Sequence, residues 1–272
     1  PTLDPTASPV SSPPAGSGPT MSPTLDPTAS PVSSPPTGSG SILSVTNSPT
    51  VAPTKAPITC AQAMATNAVK FDILWVLDSS GSVTLSNWVK QVNFVAESAD
   101  SFTMSATETR MAVLSYSTSV HHDKTVAFGD PTGLDADLFK DYMRSMSYTG
   151  GYTDTPEALF AADDLFTDEN WRPEAKRVVV LVTDGVPNRY TGCPSSVSGD
   201  YGTRQQKARR CSRYAAEQLK DQSPSGDVYF VYLRVGSGAV DDLFTGIEDY
   251  TIETVFNELS SVIPGIVQDI TC

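Results

Sequence analysis

The chain has 272 residues, a formal net charge of −13 and 39% hydrophobic residues. It offers no basic footprint for duplex nucleic acid, and no apolar run approaches the ~20 residues that span a bilayer. An acidic surface suits cation binding and plain solubility equally well.

Residues 1–57 stand apart in composition. Asp4, Asp26 and Lys55 are their charged residues, and they hold no Trp, Tyr or Phe. Residues 1–14 and 23–36 both read PTLDPTASPVSSPP. Such a segment cannot bury enough apolar surface to offset the entropy of ordering it, so it is expected to be a disordered repeat linker. Its prolines favour extended, semi-rigid polyproline II structure, and Ser and Thr with Pro is the composition of O-glycosylated stalks. A linker with no further role accounts for it equally well. The chain begins at Pro1 without a visible signal peptide and reads as a processed product or a piece of a longer protein. Residues 58–272 hold all the aromatic side chains and suit one domain with a substantial core.

The apolar run Phe71–Leu77 reads as a buried strand, ended by Asp78-Ser79-Ser80-Gly81-Ser82. A helix is expected over Leu85–Phe102. Two strands follow, Arg110–Tyr116 and Thr125–Phe128, whose short connection around Val120 predicts an antiparallel edge. Asp135–Met146 is helical, with Leu138, Phe139, Tyr142 and Met146 on one face. Thr155–Phe166 opens as a helix with Pro156 in its first turn. Lys176–Thr183 is a Val-rich strand, Thr203–Asp221 a helix, Asp227–Val235 a strand, and Thr251–Gln268 a final helix bent or interrupted near Pro264. Alternating strands and helices with near-continuous apolar strands predict a mainly parallel sheet covered on both faces.

Three stretches can bring oxygen donors to the carboxyl ends of such a sheet, where α/β folds place their sites. Asp78, Ser80 and Ser82 offer a carboxylate and two hydroxyls. Thr153 follows a Gly150-Gly151 turn whose glycines permit a tight backbone path. Asp184 ends the Val-rich strand in Thr183-Asp184-Gly185. Two carboxylates and three hydroxyls are hard ligands suited to Mg²⁺, with Ca²⁺ or Mn²⁺ as alternatives, and waters or a ligand would complete an octahedron. Tyr148, Tyr152, Asp154, Arg189 and Tyr190 are candidates for contacting a ligand there, the last two from the loop 186–202. An incidental surface loop is an equal reading.

Four cysteines, Cys60, Cys193, Cys211 and Cys272, are even in number and contain no CxxC pair, which argues for disulfides over zinc. Three connectivities are possible. Cys60–Cys272 would bracket the folded part and Cys193–Cys211 one internal segment, and this pairing is preferred over four free thiols. Disulfides imply an oxidising, extracellular setting, secreted or at a cell surface.

Together these segments resemble the von Willebrand factor A domain, also called the integrin inserted domain. Its metal-ion-dependent adhesion site is a DxSxS motif plus a distant Thr and a distant Asp. In this sequence those positions fall on Asp78, Ser80, Ser82, Thr153 and Asp184, in the right order and with matching flanks, over roughly residues 68–270. The resemblance implies a Rossmann-like, doubly wound α/β fold: a mainly parallel sheet with one antiparallel edge strand and helices on both faces. It implies a site that binds a protein or glycan ligand through a divalent cation, the partner often supplying a carboxylate. Asp78, Ser80 and Ser82 would be direct ligands, while Thr153 and Asp184 would exchange direct and water-mediated contacts. The final helix would move in members that switch.

Enzyme readings fit poorly. A haloacid-dehalogenase type needs a second Asp where Ser80 stands. A Ser/His/Asp hydrolase needs a positioned histidine, and the two present, His121 and His122, are adjacent in a loop. No Gly-x-Ser-x-Gly elbow occurs. A non-enzymatic adhesion module is therefore expected. Its serious alternative is a structural component of an extracellular matrix or cell-wall assembly that uses the domain for packing.

Overall fold

The computed structural model describes residues 69–166, 172–221, 228–240 and 242–272. The repeat segment 1–57 and Cys60 lie outside the described residues. Five strands, β1 (Lys70–Asp78), β2 (Thr109–Tyr116), β3 (Ala175–Thr183), β4 (Tyr229–Val235) and β5 (Tyr250–Thr254), form one sheet in the order β2-β1-β3-β4-β5. All four pairings are parallel.

Strands β1 to β4 carry apolar side chains on both faces, as a sheet covered twice requires, while the edge strand β5 turns Ile252 to one core and Thr251 and Glu253 the other way. In β1, Ile73, Trp75 and Leu77 point into one core and Leu74 and Val76 into the other. Val178, Val180 and Val182 alternate with Val179 and Leu181 in β3 in the same way. The first core is closed by α1 (Thr84–Ser98), α2 (Ala136–Ser145) and α5 (Ile263–Thr271). Trp88, Phe94, Phe139, Met143, Ile266 and Ile270 supply that contact. The second is closed by α3 (Thr155–Phe166) and α4 (Arg204–Asp221) through Leu159, Ala162, Ala215 and Leu219.

Local chemistry sets where these helices begin. Asp135 Oδ1 accepts hydrogen bonds from the backbone N–H of Asp137 and Leu138 at 2.9 Å each, capping α2. Thr203 and Gln206 bond reciprocally ahead of α4, with 3.2 Å from Gln206 N to Thr203 Oγ1 and 2.8 Å from Thr203 N to Gln206 Oε1. Pro264 stands in the first turn of α5, where its missing N–H has no intrahelical partner to lose.

Three expectations are corrected. The antiparallel edge strand is absent from the sheet. Val126 exchanges both backbone bonds with Val113, at 2.9 and 3.0 Å, but this is an isolated bridge. The 3₁₀ turn His122–Lys124 takes up the residues before it, and the chain leaves through Gly129, Asp130 and a second 3₁₀ turn at Pro131–Leu134, so no ladder can extend. The expected helix over Thr251–Gln268 is instead β5, a 3₁₀ turn (Leu259–Val262) and the shorter α5. Tyr250, Thr251, Ile252 and Thr254 are strand-favouring, and β4 offers them an open edge. In α2, Leu138 is exposed and Met143 takes the buried position beside Phe139.

The order 2-1-3-4-5 makes β1/β3 the point where the winding reverses direction. The crevice beyond the carboxyl ends of the strands opens there. Asp78 and Thr183 end the two strands flanking it.

Candidate metal centre

Asp78 is the last residue of β1 and is wholly buried. Its backbone C=O accepts from Gln91 Nε2 of α1 at 3.1 Å, which ties the strand end to the helix. Its carboxylate is held on both oxygens. Ser80 N–H donates to Oδ1 at 2.8 Å, and the Thr183 hydroxyl of β3 donates to Oδ2 at 2.6 Å. The Ser80 and Ser82 hydroxyl oxygens lie 3.1 Å apart. Ser82 Oγ donates to Asp184 Oδ1 at 2.7 Å, so the first and last donor segments already touch.

Thr153 comes in on the third segment. Gly81 N–H donates to Gly151 C=O at 2.9 Å and Gly150 N–H to Ser79 C=O at 2.8 Å, lacing the 78–82 and 149–151 loops together. Gly150 and Gly151 adopt φ of +75° and +104°, the left-handed region that makes glycine necessary in this turn. Thr153 N–H is accepted by Asn188 Oδ1 at 3.0 Å, and Thr153 C=O accepts from Asn188 N and Arg189 N at 3.0 and 3.2 Å. Thr84, just past Ser82, has φ of +65°, a strained conformation for a β-branched residue of the kind that gathers at functional sites.

Gly185 shows how closely the donors converge. A Cβ on this residue would lie 3.1 Å from Ser82 Oγ, 3.5 Å from Thr153 Oγ1 and 3.8 Å from Asp78 Oδ2. Three oxygens from two segments thus gather around the Cα of a third, at a point that only glycine leaves open. Among the described residues no three carboxylate, imidazole or thiol side chains converge. What converges is hydroxyl-rich, with two carboxylates, and fits a hard divalent cation better than a soft one.

The electrostatics agree with that donor set. Burial, with a smaller contribution from the negative charge of Asp184, pushes the Asp78 carboxyl up to about 6 against the hydrogen bonds from Thr183 and Ser80. Burial also raises Asp184, opposed by the Ser82 hydrogen bond. Both carboxylates are short of positive charge, and a cation between them would reverse the shift.

The candidate contact residues divide. Tyr152 is half exposed, and Arg189 and Tyr190 are partly exposed on the loop that follows β3. Tyr148 is partly buried and donates its hydroxyl to Ser80 C=O at 3.0 Å, so it supports the site from beneath. Asp154 is buried, and its carboxylate is taken up by Thr191 N–H and Oγ1 and by Arg189 Nε, which makes it a brace for the loop. Cys193 and Cys211 are joined by a disulfide that ties this loop to α4. The Cys60–Cys272 pairing rests on a residue outside those described.

Gln91, Thr183, Gly185 and Asn188 escape sequence reasoning as site residues. Thr183 was legible only as a strand terminus. Its approach to Asp78 depends on the parallel β1–β3 register, which pairs Leu77 with Val182.

Comparison with known proteins bears on this arrangement. The family model of the von Willebrand factor type A domain matches residues 72–216. The chain is 29% identical to vitrin of Mus musculus over 130 residues, 47% of this chain and 18% of vitrin. It is 26% identical to sporozoite surface protein 2 of Plasmodium yoelii yoelii over 121 residues, 44% of this chain and 15% of that protein. The match therefore spans less than a fifth of the length of either relative. Among solved structures, proximal thread matrix protein 1 from the mussel byssus, with a zinc-occupied MIDAS motif, superposes with a TM-score of 0.59 at 23% identity, covering 75% of this chain and 48% of that one. The manganese-loaded TRAP protein of Plasmodium vivax gives 0.52 at 19% identity, covering 73% of each chain. At these identities the likeness is one of fold.

Proposed function

The chain belongs to the von Willebrand factor type A domain family, and from that premise we propose that residues 58–272 form an extracellular, non-enzymatic interaction module that binds its partner through a divalent cation. Asp78, Ser80, Ser82, Thr153 and Asp184 would hold the ion, with Mg²⁺ the expected occupant and Ca²⁺ or Mn²⁺ as alternatives. The observation that carries this reading is the meeting of Ser82, Thr153 and Asp78 oxygens around the open point beside Gly185. Bound there, a dication facing only two carboxylates would supply a strong electrostatic attraction for a carboxylate on a protein or glycan partner.

The protein's own residues do the rest. Thr183 and Ser80 fix the two oxygens of Asp78, so its carboxylate cannot rotate away. Gln91 holds the backbone beneath it. The Gly81–Gly151 and Gly150–Ser79 bonds keep the Thr153 segment in register with the 78–82 turn. Ser82 holds Asp184 by a hydrogen bond that a cation would have to share.

Similarity to a sporozoite surface protein and to metal-loaded neighbours supports the adhesive and cation-dependent parts of this reading. In it, residues 1–57 serve as a Pro/Ser/Thr-rich repeat linker. Cys60–Cys272 closes the module, a pairing that non-reducing peptide mapping would display. The functional test is capture of partners from an extracellular-matrix or cell-surface extract on the immobilised protein. Partners should elute with EDTA and fail to bind the Asp184→Ala protein. Capture indifferent to both would sink the proposal and favour a packing role in a matrix or wall assembly.

A further inference from the structure

Beside the donor cluster lies a pocket of about 270 Å³ lined by Arg189, Tyr190, Thr191 and Arg204. Its position is fixed by the chain. Tyr152 directly precedes Thr153, and Arg189 N–H donates to Thr153 C=O at 3.2 Å, so the pocket wall is bonded to a donor segment. The guanidinium carbons of Arg189 and Arg204 lie 5.8 and 5.9 Å from the centroid of the same Tyr152 ring. One ring attracts each cation weakly at an exposed site, while the two cations repel each other. Of these two cations Arg189 shares one buried carboxylate, Asp154, and Arg204 adds a second positive charge at the same pocket, so the pair is short of one anion.

The groups inside the protein leave that shortfall in place. Arg189 Nε reaches Asp154 Oδ2 at 3.4 Å, but Asp154 also accepts from Thr191 N–H and Oγ1. Among the described residues Arg204 has no carboxylate partner. The walls are also set before any ligand arrives. The Cys193–Cys211 disulfide fastens the loop to α4, whose first residue is Arg204. Arg210 of α4 donates to the carbonyls of Val197 at 3.3 Å, of Ser198, and of Tyr201 at 3.0 Å, pinning the rest of the loop. A pre-built pocket spends little of its binding energy on ordering itself.

We propose that this pocket receives a second carboxylate of the partner, whose first carboxylate goes to the metal, and that the partner is therefore a protein segment carrying two acidic side chains. The proposal rests on the metal-site reading above. A planar guanidinium matches a carboxylate through paired hydrogen bonds. A densely sulfated glycan fits less well, because one two-arginine pocket serves a single anion.

The test uses labelled peptides carrying two glutamates separated by glycine spacers of increasing length, a single-glutamate peptide, and a heparin oligosaccharide. In Mg²⁺, one spacing should bind roughly tenfold tighter than the single-glutamate peptide, the scale of one charge-assisted hydrogen bond. Arg204→Gln should bring that ratio to about one. The proposal is overturned by the absence of any favoured spacing, by an unchanged ratio in the variant, or by heparin outbinding every peptide through Arg204. If no peptide responds to EDTA, the metal reading has failed and the pocket is judged alone. Glutarate is then titrated into the EDTA-treated protein while the arginine side-chain N–H resonances are followed by NMR. Shifts at Arg189 and Arg204 support an anion pocket, and their absence rules it out.

Discussion

Asp78 carries two opposed demands. Burial at the end of β1 disfavours its charge, yet an acidic oxygen is what a cation would need there. The unfolded chain releases this proton near 3.8, whereas the folded protein keeps it to about 6. The folded state thus binds more protons between those values, and metal-free stability falls as pH rises through the window, by about 3 kcal/mol in all. Asp78→Asn removes the buried charge. We expect it to melt at a higher temperature than the wild type at pH 7 in EDTA, and to gain nothing from Mg²⁺ that stabilises the wild type. A variant that melts lower in EDTA would show that burial is not what governs this carboxyl. Gly185 makes a second residue-scale prediction. Ala at this position places a methyl among the donor oxygens, so Mg²⁺ affinity should fall about 10- to 100-fold with little change in the circular dichroism spectrum.

At the scale of elements, the strands with continuous apolar runs were legible. Phe71–Leu77 and the Val-rich stretch to Thr183 had few alternatives, because apolar side chains on both faces demand two covering layers. The donor-bearing turns were legible for a related reason: Asp78, Ser80, Ser82, Thr153 and Asp184 all sit beside glycines or strand ends that local sequence marks. Pairing was not legible. Whether Val126 extends a ladder or makes one bridge depends on how the chain leaves through Gly129 and Pro131, and whether Tyr250–Thr254 is strand or helix depends on the free edge of β4. Both are decided by partners distant in sequence. The loop after β3 behaves as an element of its own because the Cys193–Cys211 bond closes a segment with a sequence separation of 18. Replacing both cysteines by Ala should lower stability in urea by about 3 kcal/mol on the chain-entropy account. Mg²⁺ affinity should be retained, since no donor lies in the segment from Cys193 to Cys211 that the bond closes. A large loss of Mg²⁺ affinity in this variant would mean that the loop shapes the donor cluster as well as the pocket beside it.

At the scale of the whole molecule, the sheet order determines what the site can be. Reversal of the winding between β1 and β3 opens a crevice where Asp78 and Asp184 emerge from neighbouring strand ends, and the Thr153 loop is laced across it by backbone bonds. Site and fold are therefore coupled through short backbone contacts between loops, and a change in one loop is felt by the other two. Composition separates residues 1–57, which hold no aromatic side chain, from the remainder, while the supporting roles of Gln91, Thr183 and Asn188 required the register of the sheet. The central claim is that these three loops form one cation site. Calorimetric titration of the EDTA-stripped protein with Mg²⁺ tests it most directly. The account predicts saturable binding of one ion by the wild type and none by Asp78→Ala or Asp184→Ala, with the fold retained in both. Undiminished affinity in Asp78→Ala would contradict it.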